Sequence, residues 1–149
     1  MDCLTLIKED IEKWNRWRSA RTDESISLAG QDLSHGYFFE GNFSGVDLSG
    51  ANLRRACLIG ADFSGANLSG ADLREAYLGD ANFYNANIRD ANLTGAHLDR
   101  VDLGLAKSDT TDIAESNPVS NPAVKIAIAR LSQRPTAHRY RPWQMLSSR

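Results

Sequence analysis

The chain has 149 residues, 24% of them charged, and a formal net charge of −2 at pH 7. That length suits one domain. The lack of a long apolar run or a signal-peptide pattern predicts a cytoplasmic protein with no membrane span. The two cysteines, Cys3 and Cys57, exclude a disulfide framework. Residues 26–105 carry ten acidic and five basic side chains, whereas residues 106–149 carry three acidic and seven basic.

Residues 3–18 are predicted to form one amphipathic helix, followed by a polar link over residues 19–25. Apolar residues recur along one face with helical spacing, and charged residues occupy the other side. The apolar stripe consists of Leu4, Ile7, Ile11 and Trp14, with Trp17 beside it. Such a helix suits a membrane surface, a partner protein or an exposed apolar end of the same chain, and we favour the last.

Residues 26–105 repeat with a period of five. One large apolar residue, here called the centre of a unit, returns sixteen times without a gap. Two positions before the centre lies a residue that is Ala in every unit from position 51 to position 96, and the position just before the centre is usually Asp or Asn. A period of five fits neither a helix nor a flat strand, whereas a short fixed repeat is typical of a solenoid. The centres are Leu28, Leu33, Phe38, Phe43, Leu48, Leu53, Leu58, Phe63, Leu68, Leu73, Leu78, Phe83, Ile88, Leu93, Leu98 and Leu103.

The repeated unit resembles A(D/N)LXX, the unit of the pentapeptide-repeat family, and the resemblance covers residues 26–105. Members of that family fold as a right-handed, four-sided β-helix with four pentapeptides in each coil. The resemblance therefore implies an all-β solenoid of about four coils, in which each residue stacks on the residue twenty positions later. The centres and the small residues would point inward, and the other positions would face solvent.

Three patterns in the sequence agree with a register of twenty. Phe43, Phe63 and Phe83 share that spacing, which predicts one internal stack of three rings. The Asp residues that precede centres never lie twenty apart, so like charges avoid facing each other across coils. From position 32 to 102, four units lack Asp or Asn before the centre, and these also recur at twenty: Tyr37, Cys57, Tyr77 and His97.

Both ends of the β-helix are predicted to carry short helical caps, because an open coil exposes its apolar interior and an unpaired strand edge. Residues 1–25 would cap the first coil, with Trp14 and Ile11 near Leu28 and Leu33. Residues 26–115 would form the β-helix, and residues 116–149 a second helix from Pro122 to about Gln133 and a basic tail. Asn121 and Pro122 suit the start of that helix. The tail contains Tyr140 and Trp143.

Catalytic chemistry is not predicted. His35, His97 and His138 lie at unrelated positions, and no Cys or His pair has the spacing of zinc ligands. No nucleophile, base and acid form a recognisable set. We therefore expect no enzyme activity, no cofactor and no metal.

One face of the predicted prism differs from the others and is the candidate interaction face. It carries Tyr37, Cys57, Tyr77 and His97 before the centres, and Phe39 and Ile59 just after them. An apolar stripe with a polar rim is typical of a protein-binding or self-association site. The predicted rim consists of Glu40, Asp80, Asp99 and Arg100.

These features predict a non-catalytic scaffold or protein-interaction module that presents a flat face to a partner protein. A homodimer through this face or through a coil end is one form of such binding. The face also fits two roles that need no partner. The stacked side chains could simply stabilise the sheet as cross-strand pairs, or the basic tail could cover them.

The family resemblance also suggests an alternative function. Some members protect DNA gyrase from quinolones or toxins as acidic rods that resemble duplex DNA. Three features make that regulator or protector the weaker choice here: four coils rise only about 15–20 Å, the repeat region is modestly acidic, and no loop interrupts the repeats. Direct nucleic-acid binding is not expected.

Overall fold

A computed structural model describes residues 2–103 and 106–107, beginning with two short helices. Helix α1 spans Cys3–Glu9 and helix α2 spans Ile11–Ser19. The single helix predicted over residues 3–18 is therefore wrong. Asp10 has φ −157° and ψ 103°, and its carboxylate accepts a hydrogen bond from the backbone N–H of Lys13 at 3.0 Å. An Asp side chain that bonds to nearby backbone in this way favours a helix start over a helix interior.

The repeats form coils of twenty residues joined by isolated parallel bridges. The first bridge joins Ser27 to Asp47, and the last joins Asn87 to Lys107. Each bridge is held by two backbone hydrogen bonds of the same pattern: the N–H of Leu28 donates to the carbonyl of Asp47 at 2.7 Å, and the N–H of Asp47 donates to the carbonyl of Ile26 at 2.9 Å. The register of twenty predicted from the sequence is confirmed.

A tight turn separates each bridge from the next along the chain. The second residue after each centre has a positive φ, between 53° and 69°, at every unit from position 30 to position 100. The N–H of the residue that follows donates back to the carbonyl of the centre, as Gly36 does to Leu33 at 3.3 Å. A left-handed third residue is the requirement of a type II turn. Seven of these fifteen positions are glycine and eight are not.

The interior is filled by the centres and by the small residues that precede them. All sixteen centres are buried, and so is every Ala from Ala51 to Ala96 that precedes a centre by two positions. The rings of Phe43, Phe63 and Phe83 form one stack, with centroids 5.2 Å and 5.1 Å apart and planes within 26° of parallel. The predicted internal stack is confirmed.

Helix α2 packs against the edge of the first coil beside Phe43. Trp14 is fully buried, its ring lies 6.1 Å from that of Phe43, and its Nε1–H donates to the carbonyl of Asn42 at 2.9 Å. Trp14 was predicted over the first coil, near Leu28 and Leu33. The observed position gives the indole N–H the acceptor that a buried Trp requires.

Two further side chains of α2 bond to the same edge. Asn15 accepts from the N–H of Asn42 at 2.8 Å and donates to the carbonyl of Glu40 at 3.0 Å. Arg18 is buried and donates to the carbonyl of Ser44 at 2.8 Å. In the next coil, the N–H of Asp62 and the carbonyl of Ser64, at the positions of Asn42 and Ser44, bond to the coil beneath. Helix α2 thus provides side-chain partners for backbone groups of the first coil, which has no coil beneath it.

The second predicted helix, the last part of the predicted β-helix and the basic tail lie outside the described residues.

Candidate interaction face

The structure brings all six predicted residues onto one face of the β-helix. Bridges join Tyr37 to Cys57, Cys57 to Tyr77 and Tyr77 to His97, which makes a ladder along the coil axis. The rings of Tyr77 and His97 are stacked, with centroids 4.6 Å apart and an interplanar angle of 3°. Phe39 lies beside the ladder, with its ring 6.4 Å from that of Tyr37. We call the surface formed by Tyr37, Phe39, Cys57, Ile59, Tyr77 and His97 the aromatic face.

The aromatic face is open to solvent. The exposed fraction is 69% for Tyr37, 47% for Tyr77 and 40% for Phe39. Cys57 and Ile59 are half-buried, and His97 is exposed. Because each member of the ladder belongs to a backbone bridge, the rings project from fixed points. Another exposed aromatic, Tyr84 at 54%, belongs to the neighbouring face that carries the Asp62–Asn82 bridge.

Asp and Asn on the other faces bond mainly to the chain itself. The amide of Asn52 donates to the carboxylate of Asp32 at 3.1 Å, and the same distance joins Asn82 to Asp62. These side chains also accept from the turn that follows, as Asp62 does from the N–H of Ser64 at 2.9 Å. Hydrogen bonds from Ser34 lower the pKa of Asp32, and hydrogen bonds from Ser49 lower the pKa of Asp47. The Asp and Asn ladders therefore stabilise turns and coil contacts.

Charged residues with left-handed backbone line both edges of the aromatic face. One edge carries His35, Arg55 and Glu75, and the other carries Glu40, Asp80 and Arg100, all with φ between 53° and 58°. At non-glycine residues this conformation costs about 1–2 kcal/mol each. The equivalent positions at the edges of the opposite face are mostly glycine: Gly30, Gly45, Gly50, Gly65 and Gly70. Glu40, Asp80 and Arg100 were predicted in the rim from the sequence, whereas the first edge and the left-handed backbone were not.

Ion pairs between coils order several of these edge residues. Glu75 accepts from Arg54 at 2.8 Å and from Arg55 at 2.7 Å, and Asp80 accepts from the Nε of Arg100 at 2.6 Å. The hydrogen bonds from Arg54 and Arg55 lower the pKa of Glu75, and the hydrogen bond from Arg100 lowers the pKa of Asp80. Both carboxylates therefore stay charged at neutral pH.

A notch of about 260 Å³ interrupts the aromatic face at Gly79. Gly79 follows Ile59 and precedes Asp99 at the same position of successive coils, so a side chain is missing between them. A Cβ built at Gly79 would lie 3.7 Å from the carbonyl oxygen of Asp99, which is ordinary contact. The notch is lined by Ile59, Tyr77, Gly79, Asp80, His97, Asp99 and Arg100.

The described residues offer little for metal chemistry. Among residues 2–103 and 106–107, no group of three or more His, Cys, Asp or Glu side chains is placed to hold a metal ion. His35 and His97 lie on different parts of the β-helix, and Cys3 and Cys57 are free thiols. In the same part of the chain, no helix has the length and hydrophobicity needed to cross a membrane.

The family model of pentapeptide repeats matches residues 28–65 and 66–104, with eight copies. That match covers more than half of the chain, so the chain belongs to the pentapeptide-repeat family. The family match and the structural relatives imply the right-handed β-helix solenoid that the resemblance led us to expect. This family is one of generally non-catalytic structural repeat proteins.

Three solved structures illustrate the similarity. The pentapeptide repeat protein alr5209 from Nostoc PCC 7120 is 34% identical, with a TM-score of 0.51 over 66% of this chain and 87% of that chain. AT2G44920, a pentapeptide repeat protein from the Arabidopsis thaliana thylakoid lumen, is 25% identical, with a TM-score of 0.38 over 76% and 92%. QnrB1, a plasmid-mediated fluoroquinolone resistance protein, is 20% identical, with a TM-score of 0.40 over 70% and 61%. No curated protein matches this chain.

Proposed function

We propose that this protein is a non-catalytic interaction module that presents its aromatic face to a partner protein. The observation that carries the proposal is the ladder of exposed rings at Tyr37, Tyr77 and His97, fixed by backbone bridges. Tyr is enriched at binding hot spots because one ring supplies a large contact area and a hydroxyl group. A contiguous apolar surface with a charged rim is the usual anatomy of an interface.

The contrast between faces supports the choice of this one. On the other faces, carboxylates and amides already bond to turns and to neighbouring coils. On the aromatic face, large apolar side chains remain exposed, and the edges keep charged residues where glycine would relieve backbone strain. Strained residues that persist in a fold cluster at functional sites. The two features together favour recognition over simple stabilisation.

The proposal includes the ends of the β-helix and its length. About four coils would be closed below by α2 through Trp14, Asn15 and Arg18, and above by the helix predicted from Pro122 to about Gln133. Closed ends would leave a side face as the surface available for binding. A cytoplasmic location remains part of the proposal.

The test compares the same substitution on two faces. Tyr77→Asp and Ile59→Asp place a charge in the aromatic face, and Tyr84→Asp places one at a similarly exposed ring on a neighbouring face. Each variant and the unaltered chain would be immobilised and used to isolate partners from cells that express the protein. The expected partner is lost with Tyr77→Asp and Ile59→Asp, is kept with Tyr84→Asp, and binds the purified chain directly.

Equal binding by all the variants, at unchanged melting temperature, would exclude the aromatic face as the interface. A second informative result comes from deleting residues 134–149. If that deletion alone exposes the face and causes aggregation, the tail covers the aromatic face. The apolar residues of the face then need no partner protein to explain them.

Regulation or protection of DNA gyrase is the alternative function. The Asp ladders weaken it, because Asp32 and Asp72 alternate with Asn52 and Asn92 along the coil axis and form no continuous row of charge. A supercoiling assay with purified gyrase, with and without a quinolone, tests this directly. A change in supercoiling that depends on this protein would favour the alternative.

A further inference from the structure

The aromatic face is complementary to an inverted copy of itself. Its exposed groups lie at four levels along the coil axis, marked in order by Tyr37, Cys57, Tyr77 and His97. In an isologous dimer, a two-fold axis can lie in the contact plane, parallel to the direction of the bridged segments. Residues twenty positions apart form a column along the coil axis. In this dimer each column of one copy meets the same column of the other, with the order of the levels reversed. An axis midway along the face pairs the first level with the fourth and the second with the third.

Opposite charges meet in this arrangement at both edges. Arg55 faces the second copy's Glu75 on one edge, and Glu40 faces the second copy's Arg100 on the other. Symmetry repeats each contact, so four oppositely charged contacts form. The other edge positions pair His35 with Gly95 and Gly60 with Asp80. No two like charges are opposed.

Other registers are less favourable. Sliding one copy by one level moves the axis by half a level. Moving the axis half a level toward Tyr37 would place Arg55 against its own copy and Glu40 against Asp80. Moving it half a level toward His97 would place Glu75 and Asp80 each against its own copy. Like charges that face each other across an interface are strongly unfavourable. Among these three registers, charge favours the central, antiparallel one.

Side-chain size agrees with the same register. Ile59 faces the notch at the second copy's Gly79, which has a volume of about 260 Å³. Tyr77 faces Cys57, so a large ring meets a small side chain. Tyr37, the most exposed ring of the face, meets His97. One outer pair does not match in polarity, because the apolar ring of Phe39 meets the carboxylate of Asp99.

We propose that a second copy of this chain binds the aromatic face in an antiparallel, face-to-face dimer. The inference rests on the proposed function, because the same face is used and the partner is specified. The edge residues with left-handed backbone supply the charged contacts, in addition to the ion pairs that Glu75 and Arg100 make within their own chain.

The expected dimer is weak. Four levels span roughly 15 Å, so the contact is smaller than the ~800 Å² per partner of a standard stable interface. Exposed charge pairs add little each and are screened by salt. Sedimentation equilibrium should therefore cover concentrations up to several hundred micromolar, at low and at high salt.

The decisive experiment exchanges charges between copies. Glu40→Arg alone sets two guanidinium groups against each other in both symmetric contacts, and Arg100→Glu alone sets two carboxylates against each other. Each variant alone should dimerise at least about tenfold more weakly. An equimolar mixture restores charge complementarity, because one contact of the mixed dimer then joins the two substituted residues and the other joins the two native ones. The mixture should recover dimerisation to within about threefold of the unaltered chain.

A second pair of variants tests the notch. Gly79→Ile should weaken the dimer, because its side chain occupies the space that the second copy's Ile59 enters. Gly79 has no positive φ, so this substitution leaves the turn unstrained. Ser49→Ile is the matched control, at the same position of a unit on the opposite face, and should leave dimerisation unchanged. Circular-dichroism melts verify that all variants fold.

The outcomes separate this inference from the proposed function. A mixture that associates no better than its components, or an unaltered chain that stays monomeric throughout, overturns the dimer. If Tyr77→Asp still loses a partner protein in that case, the proposed function stands without the dimer. If the chain dimerises only after residues 134–149 are removed, that segment is the occupant of the aromatic face. This result would contradict the proposal that a second copy binds there.

Discussion

The aromatic face and the face opposite to it share one backbone and differ in their outward side chains. On the opposite face, Asn67 donates to Asp47 and Asn87 donates to Asn67, both at 3.1 Å, and turns donate to the same side chains. On the aromatic face, stacked rings take the same positions. The comparison shows that the same backbone bridges and inward residues occur with two different sets of outward side chains. Outward residues can then serve either the backbone or a partner, and the predictions below test that division.

The largest effect is expected inside the β-helix. Phe63 lies between Phe43 and Phe83 in the ring stack and is fully buried. Phe63→Ala should lower the free energy of unfolding by about 3–5 kcal/mol, because it removes apolar contacts and leaves a cavity. Tyr77→Ala, on the exposed ladder, should cost less than about 1 kcal/mol. Urea unfolding measures both, and a larger cost for Tyr77→Ala would mean that the aromatic face is structural.

The next effect concerns the edge of the first coil. Trp14→Phe keeps most of the packing on Phe43 but removes the donor to the carbonyl of Asn42. An unsatisfied buried acceptor should cost about 1–3 kcal/mol in unfolding free energy. Trp17→Phe is the matched control on the same helix, since Trp17 is only partly buried. If the two variants have equal thermal stability, the Trp14 hydrogen bond contributes nothing.

A smaller effect should distinguish the edges of the two faces. Gly50 has φ +64° with open space where a Cβ would lie, so Gly50→Ala tests the backbone alone. It should destabilise the fold by about 1 kcal/mol, and His35→Gly, at φ 58°, should stabilise it by a similar amount. Both values come from chemical denaturation. A loss of stability with His35→Gly would show that the His35 side chain stabilises the fold.

The smallest effect is a pH dependence on the opposite face. The N–H of Ser49 donates to the carboxylate of Asp47 and lowers its pKa, with a further contribution from Asn67. A lowered pKa in the folded state stabilises the fold above the unfolded value of about 3.9. That stability is lost as pH falls through the folded pKa. Asp47→Asn should therefore flatten the decline in melting temperature below about pH 4. An unchanged slope would show that Asp47 does not contribute.

The β-helix was predictable because its signals are local and repeat many times. The register of twenty is indicated by the spacing of Phe43, Phe63 and Phe83. It is indicated independently by the spacing of Tyr37, Cys57, Tyr77 and His97. The break between α1 and α2 was missed because Asp10 interrupts a helical pattern without disturbing its apolar stripe. The contacts of Trp14 with Phe43 and Asn42 were not predicted, because a helical stripe shows which side is buried but not which residues of the coil it meets.

The sequence by itself determined the solenoid, its period of twenty and the membership of the aromatic face, because each inward residue contacts the same position of the next coil. The tertiary structure decided what lies between those positions. It showed the left-handed edges at His35, Arg55 and Glu75, the cross-coil pair of Arg100 with Asp80, and the notch at Gly79. These features depend on backbone angles and on distances between coils. A list of residue types contains neither.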